Sequence, residues 1–272
     1  MTDVAIAQEE NLRTRIAQAL SAQGKTTDAL VLEDLAGVDE LHIGGLETIR
    51  PIVGSLGVSS GDVTLDLGSG LGGPARFVAR ETGSREVGVD LSADTTLAGN
   101  ELSGWVGADE MVQLEVADVC HVPHKSESFD AVLSVHVHMF LQAPAQMFAE
   151  AFRLLKPGGR FVVLDPVRCG DGDLHYPVPS ASVADADNIL RETELKTLAA
   201  TTGFRPHTRS DFSALAIDWF GATFARISKM GGPPPLGLHL VMGPDFPTFA
   251  LNAFQNLQEE KIALLHLVFE KP

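Results

Sequence analysis

Val63-Thr64-Leu65-Asp66-Leu67-Gly68-Ser69-Gly70-Leu71-Gly72-Gly73-Pro74-Ala75-Arg76 reads as a buried strand that runs into a glycine-rich loop and then into a helix. Proline fits the first helical turn, where its missing N–H costs nothing. Glycines allow a sharp backbone turn and close approach of a ligand, and the helix N-terminus offers unsatisfied N–H groups. A strand, loop and helix in this order are expected to bind something. Gly68, Gly70 and Gly73 satisfy the dinucleotide pattern G-x-G-x-x-G, and Asp90 ends the next strand 20 residues past Gly70, where a carboxylate accepts ribose hydroxyls. Nicotinamide enzymes place an acid there too, so these features leave the ligand open.

Further residues narrow it. Asp66, two residues before the first glycine, suits a ligand carrying an ammonium group and would repel a pyrophosphate. Asp118, in Val116-Ala117-Asp118-Val119, falls at the end of a third strand, positioned to accept from an adenine amino group. Ser128 to Ser134 and Phe152 to Asp165 then supply a fourth strand, a helix, a Pro157-Gly158-Gly159 turn and a fifth strand.

Outward from this centre, short apolar runs alternate with amphipathic ones, the pattern of a mostly parallel sheet covered by helices. Strands are expected at 63–67, 86–90, 112–117, 129–134, 160–165, 204–210 and 262–269. Helices are expected near 74–82, 93–106, 144–155 and 189–202. Residues 1–60 read as helical, with apolar positions at Val4, Ile6, Leu12, Ile16 and Leu20 and helices near 27–36 and 46–56. The expected organisation is an N-terminal helical lid over 1–60 and an α/β domain over 61–272. That domain carries substrate-side insertions at about 168–188 and 212–258, the second with a Gly/Pro hinge at 231–235.

The chain resembles the class I S-adenosylmethionine-dependent methyltransferases in order from about residue 41 to its last residue. It looks most like the small-molecule group that includes sarcosine and dimethylglycine N-methyltransferases and their ubiquinone-pathway and plant lipid-precursor relatives. Carrying that likeness are residues 39–45 (Asp-Glu-Leu-His-Ile-Gly-Gly), 70–76, 243–246 and 256–263, and Glu270-Lys271-Pro272. The resemblance implies a Rossmann-like seven-stranded sheet with its last strand antiparallel. It implies S-adenosyl-L-methionine as cofactor, with Gly68, Ser69 and Gly70 facing the methionine part. Asp90 and Leu91 would then meet the ribose side, Asp118 with Val119 the adenine, and the Ser134 backbone the sulfonium. A methyl acceptor of small size is implied, an amine nitrogen favoured, with O- or C-methylation as the alternative. A nicotinamide oxidoreductase and a non-catalytic sensor of the adenosyl cofactor are the readings from other classes.

His136 and His138 follow the fourth strand, where relatives commonly carry Asp or Asn and then an apolar–His pair. Their i, i+2 spacing puts both on one face if the strand continues, so either is a candidate base or a structural histidine. His121 and His124 bring the local count to four and raise a metal reading, which lacks the carboxylate or cysteine company of a familiar site; no metal is expected. His42 is a substrate-side candidate in the lid, or a cap for the helix that follows. Arg168 could hold a substrate carboxylate. Trp219, Phe220, Phe224 and Tyr176 are aromatic candidates for a methylated ammonium or for the core.

Thirty-six acidic against twenty basic side chains in 272 residues give a formal charge of −16. Such a field repels phosphate backbones and anionic bilayers, so neither nucleic acid nor membrane is expected as a partner. A small-molecule substrate is expected, with a homodimer left open. No run of ~18 apolar residues appears and the N-terminus lacks the plan of a signal peptide, so a cytoplasmic location is expected. Cys120 and Cys169 make no disulfide framework and fit a reduced compartment.

Overall fold

The computed structural model describes residues 11–184 and 188–272. The expected helical positions Val4 and Ile6 lie outside them. Seven strands form one sheet: β1 (Val63–Leu67), β2 (Arg85–Asp90), β3 (Val112–Val116), β4 (Phe129–Val135), β5 (Leu155–Arg168), β6 (Arg205–Asp211) and β7 (Ile262–Glu270). Their order is β3-β2-β1-β4-β5-β7-β6, with β1 to β5 parallel and β7 antiparallel to both of its neighbours. Strand order reverses between β1 and β4, and the crevice beyond the carboxyl ends of those strands is where open α/β sheets hold ligands.

The central strands are buried on both faces, which explains their unbroken apolar runs. One face carries Leu65, Leu67, Val132 and Phe161 against the helix α6 (Pro144–Leu154). The other carries Ala131, Leu133, Val162 and Leu164 against α3 (Leu46–Leu56) and α4 (Gly73–Thr82). Asp66, in register with Leu133, belongs to this second face.

The helices α1 (Leu12–Ala22) and α2 (Leu32–Asp39) pack through Ile16, Leu20, Leu35 and Val38 onto α5 (Ala93–Trp105) and onto Leu71 of the glycine loop. Asn11 caps α1, its Oδ1 accepting from the Thr14 amide at 3.0 Å. The N-terminal helices are pinned by a buried ion pair between Asp39 and Arg76 of α4. The Arg76 guanidinium also donates to the Leu71 and Gly99 carbonyls and to Ser103 Oγ, so one side chain ties lid, loop and α5 together.

Two helices begin later than their apolar spacing suggests, for one reason. Asp34 accepts from the Val31 amide at 3.0 Å and Glu194 from the Arg191 amide at 2.7 Å. In each case an acid at the third helical position reaches back to the residue before the helix and sets its start, giving α2 at Leu32 and α7 (Glu192–Thr202). The Pro157-Gly158-Gly159 segment is also not a turn ahead of a strand. It is a bulge inside β5, with Gly158 at φ 80° and the register shifting between Phe129 and Ala131. The late insertion forms α8 (Ser213–Met230), a short α9 (His239–Met242) and α10 (Phe246–Gln258), with the Gly/Pro hinge between α8 and α9. Among the described residues no helix is long and apolar enough to cross a membrane.

Candidate active site

The glycine loop is folded onto its own neighbours. Gly68 and Ser69 donate their amides to the Val89 carbonyl at 2.8 and 3.0 Å, Gly70 donates to Asp90 Oδ2 at 3.0 Å, and Gly72 donates to the Ser69 carbonyl at 2.8 Å. These four loop amides are therefore not free for a pyrophosphate. What the loop offers is bare backbone surface. Gly68 and Gly70 have φ values of 76° and 53°. A Cβ at Gly68 would stand 2.5 Å from Val137 Cγ2, and one at Gly70 would stand 2.8 Å from Leu41 Cδ1. The segment after β4 and the lid therefore close on the loop from two sides.

Beside the loop lies a concentration of buried carboxylates. Asp66 is 1% exposed and its Oδ2 has no hydrogen-bond partner. Burial first, and then the charge of Asp90, push its carboxyl up to about 7. Glu40, from the lid, is also buried; burial, with Asp39 and Asp66 nearby, pushes it up to about 8. Its Oε2 has no hydrogen-bond partner and lies 3.4 Å from His42 Nε2. Two buried acids with open oxygens fit a cationic ligand and oppose a dianionic one. Glu40 was not singled out from the sequence, although it stands in the Asp39-Glu40-Leu41-His42 segment; only the docking of the lid reveals its proximity to Asp66.

The other expected cofactor residues surround the same crevice. Asp90 closes β2, its Oδ1 accepting from the Ser92 amide at 2.9 Å, and its carboxylate keeps lone pairs for further donors. Leu91 is 76% exposed beside it. Asp118 sits in the loop two residues beyond β3 rather than at its end, and accepts from the Cys120 amide at 2.8 Å, which lowers its pKa. Val119 is buried in the core. Ser134 pairs with Leu67 and Val163 and donates its hydroxyl to Met147 Sδ at 3.8 Å, so only its backbone is directed to the strand ends. The Ser69 hydroxyl turns toward β2, where a Cβ on Gly88 would meet it at 2.6 Å.

The two histidines after β4 do not share a strand face. The strand ends at Val135, His136 takes a left-handed φ of 58°, and His138 opens a 3-10 turn. Their environments diverge as a result. His138 is wholly buried: its Nε2 accepts from the Leu190 amide at 3.2 Å, so its proton sits on Nδ1, 3.0 Å from Asp165 Oδ2. Nε2 thus ties the loop before α7 to the turn after β4, while Nδ1 lies against the carboxylate at the end of β5 without a hydrogen bond of good geometry. His136 is 8% exposed, its Nε2 has no partner, and burial together with His42 and His138 keeps its pKa well below 6.5.

His136 faces an apolar cavity enclosing about 720 Å³, its open mouth included. His42 lines it too, 6.1 Å from His136 between ring centroids. His42 Nε2 donates to the carbonyl of Gly45, the cap residue of α3, at 3.1 Å, and burial lowers its pKa to about 4. Trp219, Phe220, Phe246 and Phe249 from α8 and α10 form the opposite wall. Phe224 stacks on Phe220 and meets Phe254 edge-on behind that wall, and Tyr176 packs into the same apolar cluster. Arg168 does not line the cavity; its guanidinium donates to the Gly172 carbonyl at 3.0 Å. The remaining histidines go elsewhere, His121 toward Asp118 and His124 to Glu115 at 2.9 Å. Among the described residues no three His, Cys, Asp or Glu side chains converge as metal ligands.

Residues 65–163 match the family described as a methyltransferase domain. Phosphoethanolamine N-methyltransferase 1 of Zea mays is 32% identical over 145 residues, 53% of this chain and 28% of that protein. Methyltransferase GfsG of Streptomyces halstedii is 30% identical over 140 residues, covering 52% of this chain and 50% of the relative. The chain thus spans half or less of the length of these curated relatives. Geranyl diphosphate C-methyltransferase from Streptomyces coelicolor A3(2), solved with geranyl-S-thiolodiphosphate and S-adenosyl-L-homocysteine, superposes with a TM-score of 0.71. It covers 98% of this chain and 100% of its own at 18% identity, a likeness of fold.

Proposed function

We propose that this chain, a member of the class I S-adenosylmethionine-dependent methyltransferases, transfers the cofactor's methyl group to a small-molecule acceptor held in the cavity beside His136. The observation that carries the reading is the pairing of a loop whose Gly68, Ser69, Gly70 and Gly72 amides are already bonded with the buried Asp66 carboxylate and its unpartnered Oδ2. That combination supports a ligand with an ammonium and bare apolar surface, and disfavours a nicotinamide dinucleotide.

When bound, S-adenosylmethionine supplies an electrophilic methyl on a sulfonium. Asp66, aided by Glu40 from the lid, binds the cationic end; a positive charge there returns both carboxyls to the ionised form that burial opposes. Asp90 accepts the ribose hydroxyls beside Leu91, and Asp118 with Val119 borders the adenine. Gly68, Ser69 and Gly70 would hold the methionine part through their backbone, and the Ser134 backbone would face the sulfonium. Methyl transfer needs alignment, exclusion of water and, for many acceptors, removal of a proton. His136 Nε2 is the group available to take that proton, since His138 is wholly buried between Leu190 and Asp165 and does not line the cavity. Residues 1–60 act as the lid and 61–272 as the catalytic domain, the insertions at 168–188 and 212–258 walling the acceptor. Trp219 and His42 flank that acceptor, whereas Arg168 stands outside its cavity.

The acceptor atom is an amine nitrogen, a hydroxyl or an acidic carbon. Release of S-adenosylhomocysteine across a library containing all three tests the reading. Product formation with one class supports it; tight cofactor binding with no product from any class makes the protein a sensor instead.

A further inference from the structure

The acceptor cavity combines an unusually unipolar wall with two orphaned polar atoms. Among the described residues that line it there is no lysine, arginine or carboxylate. Its two histidines are held in the neutral form by burial, so neither supplies a counter-charge at neutral pH. Polar atoms facing it without partners are His136 Nε2, on a side chain more than nine-tenths buried, and Ser180 Oγ. The neighbouring groove shares Trp219, Phe220, Leu238 and Phe246 with the cavity and reaches out to α2 and α8. In that groove Lys25 pairs with Asp34 and Glu33 with Arg80, and burial pushes Glu40 up to about 8, which leaves Glu47 and Asp218 against Arg226. A phosphate or carboxylate would lose its water in a cavity whose described lining returns no charge.

We propose that the acceptor is an uncharged, mostly apolar molecule whose hydroxyl is presented to His136 Nε2, a second polar function meeting Ser180. This rests on the methyltransferase reading and replaces, for this cavity, the amino-acid and phosphorylated amine acceptors suggested by resemblance. In the step itself the acceptor O–H bond breaks and its proton goes to His136 Nε2. An oxygen lone pair forms the new O–CH3 bond as the S–CH3 bond breaks, and the sulfur keeps that bonding pair and loses its positive charge.

A matched pair of probes tests it in the full chain saturated with S-adenosylhomocysteine: 1-naphthol and 1-naphthoate, which share an apolar body and differ in charge. Calorimetry is expected to show naphthol binding at least 10-fold more tightly. The preference should be lost in Ala253→Trp, which fills the cavity, and reduced at least 5-fold in His136→Phe, while S-adenosylhomocysteine affinity stays within 3-fold in both. Equal or tighter binding of naphthoate, or no binding of either probe to protein that binds S-adenosylhomocysteine, overturns the inference and leaves the cofactor reading standing. Failure to bind S-adenosylhomocysteine at all overturns the methyltransferase reading instead.

Discussion

Asp66→Asn should make the cofactor-free protein more stable and the cofactor weaker, and the size of the first effect should depend on pH. The Asp66 carboxyl moves from 3.8 to about 7 on folding, chiefly through burial. The folded state therefore holds the proton more tightly than the unfolded chain. This favourable contribution is complete below 3.8 and is lost as pH rises through 7. Relative to a group that never ionises, Asp66 costs about 2 kcal/mol at pH 5 and about 4 kcal/mol at pH 8. The asparagine has its own cost, a buried amide with uncertain partners, but that cost is the same at both values. The gain in stability on substitution should consequently be larger at pH 8 than at pH 5 by about 2 kcal/mol. Glu40 and Glu86, also pushed up to about 8, titrate in both proteins, and the part of their shifts that comes from the Asp66 charge is relieved in the variant, which acts in the same direction at pH 8. Urea unfolding of both proteins without cofactor reads the difference, and S-adenosylhomocysteine titration of the same samples should show at least a tenfold loss of affinity in the variant. An equal stability change at the two pH values would refute the burial of an ionisable Asp66. Unchanged cofactor affinity would refute its role.

Other substitutions separate structure from chemistry. His136→Gln should lower kcat at least 100-fold with S-adenosylhomocysteine affinity retained, whereas His138→Gln should show up first as a loss of thermal stability, measured by calorimetry. Arg76→Met leaves Asp39 buried without its cation and should cost about 3–5 kcal/mol in urea unfolding; adding Asp39→Leu should recover most of it. Gly68→Ala places a Cβ against Val137 at a left-handed φ and should weaken cofactor binding tenfold or more while costing roughly 1–3 kcal/mol. Gly104→Ala, in α5 with open space around it, should instead stabilise by about 0.5–1 kcal/mol.

The sheet was legible in the sequence because its central strands are buried on both faces and therefore written as apolar runs, β1 at 63–67 without error and the others within a few residues. The starts of α2 and α7 were less so, since the residues that set them, Asp34 and Glu194, are acids whose caps leave no mark in apolar spacing. The carboxylates at the strand ends were found from their offsets to the glycines. Glu40 was not, because its nearness to Asp66 depends on the lid docking through Asp39 and Arg76, more than thirty residues apart in sequence. Spacing alone could not tell His136 from His138. A left-handed residue at the end of β4 sends one ring into the cavity and the other to Asp165, and that φ is a property of the packed chain. Of the aromatics, Phe224 lies behind the cavity wall and Trp219 on it, a difference that helical spacing does not carry.

The most direct test of the central claim is calorimetric titration of the full chain with S-adenosylhomocysteine and, separately, NADH, in wild type and Asp90→Ala. The account predicts one-to-one binding of S-adenosylhomocysteine, at least tenfold weaker in the variant, and no heat from NADH. Binding of NADH alone, or S-adenosylhomocysteine affinity indifferent to Asp90, would contradict it.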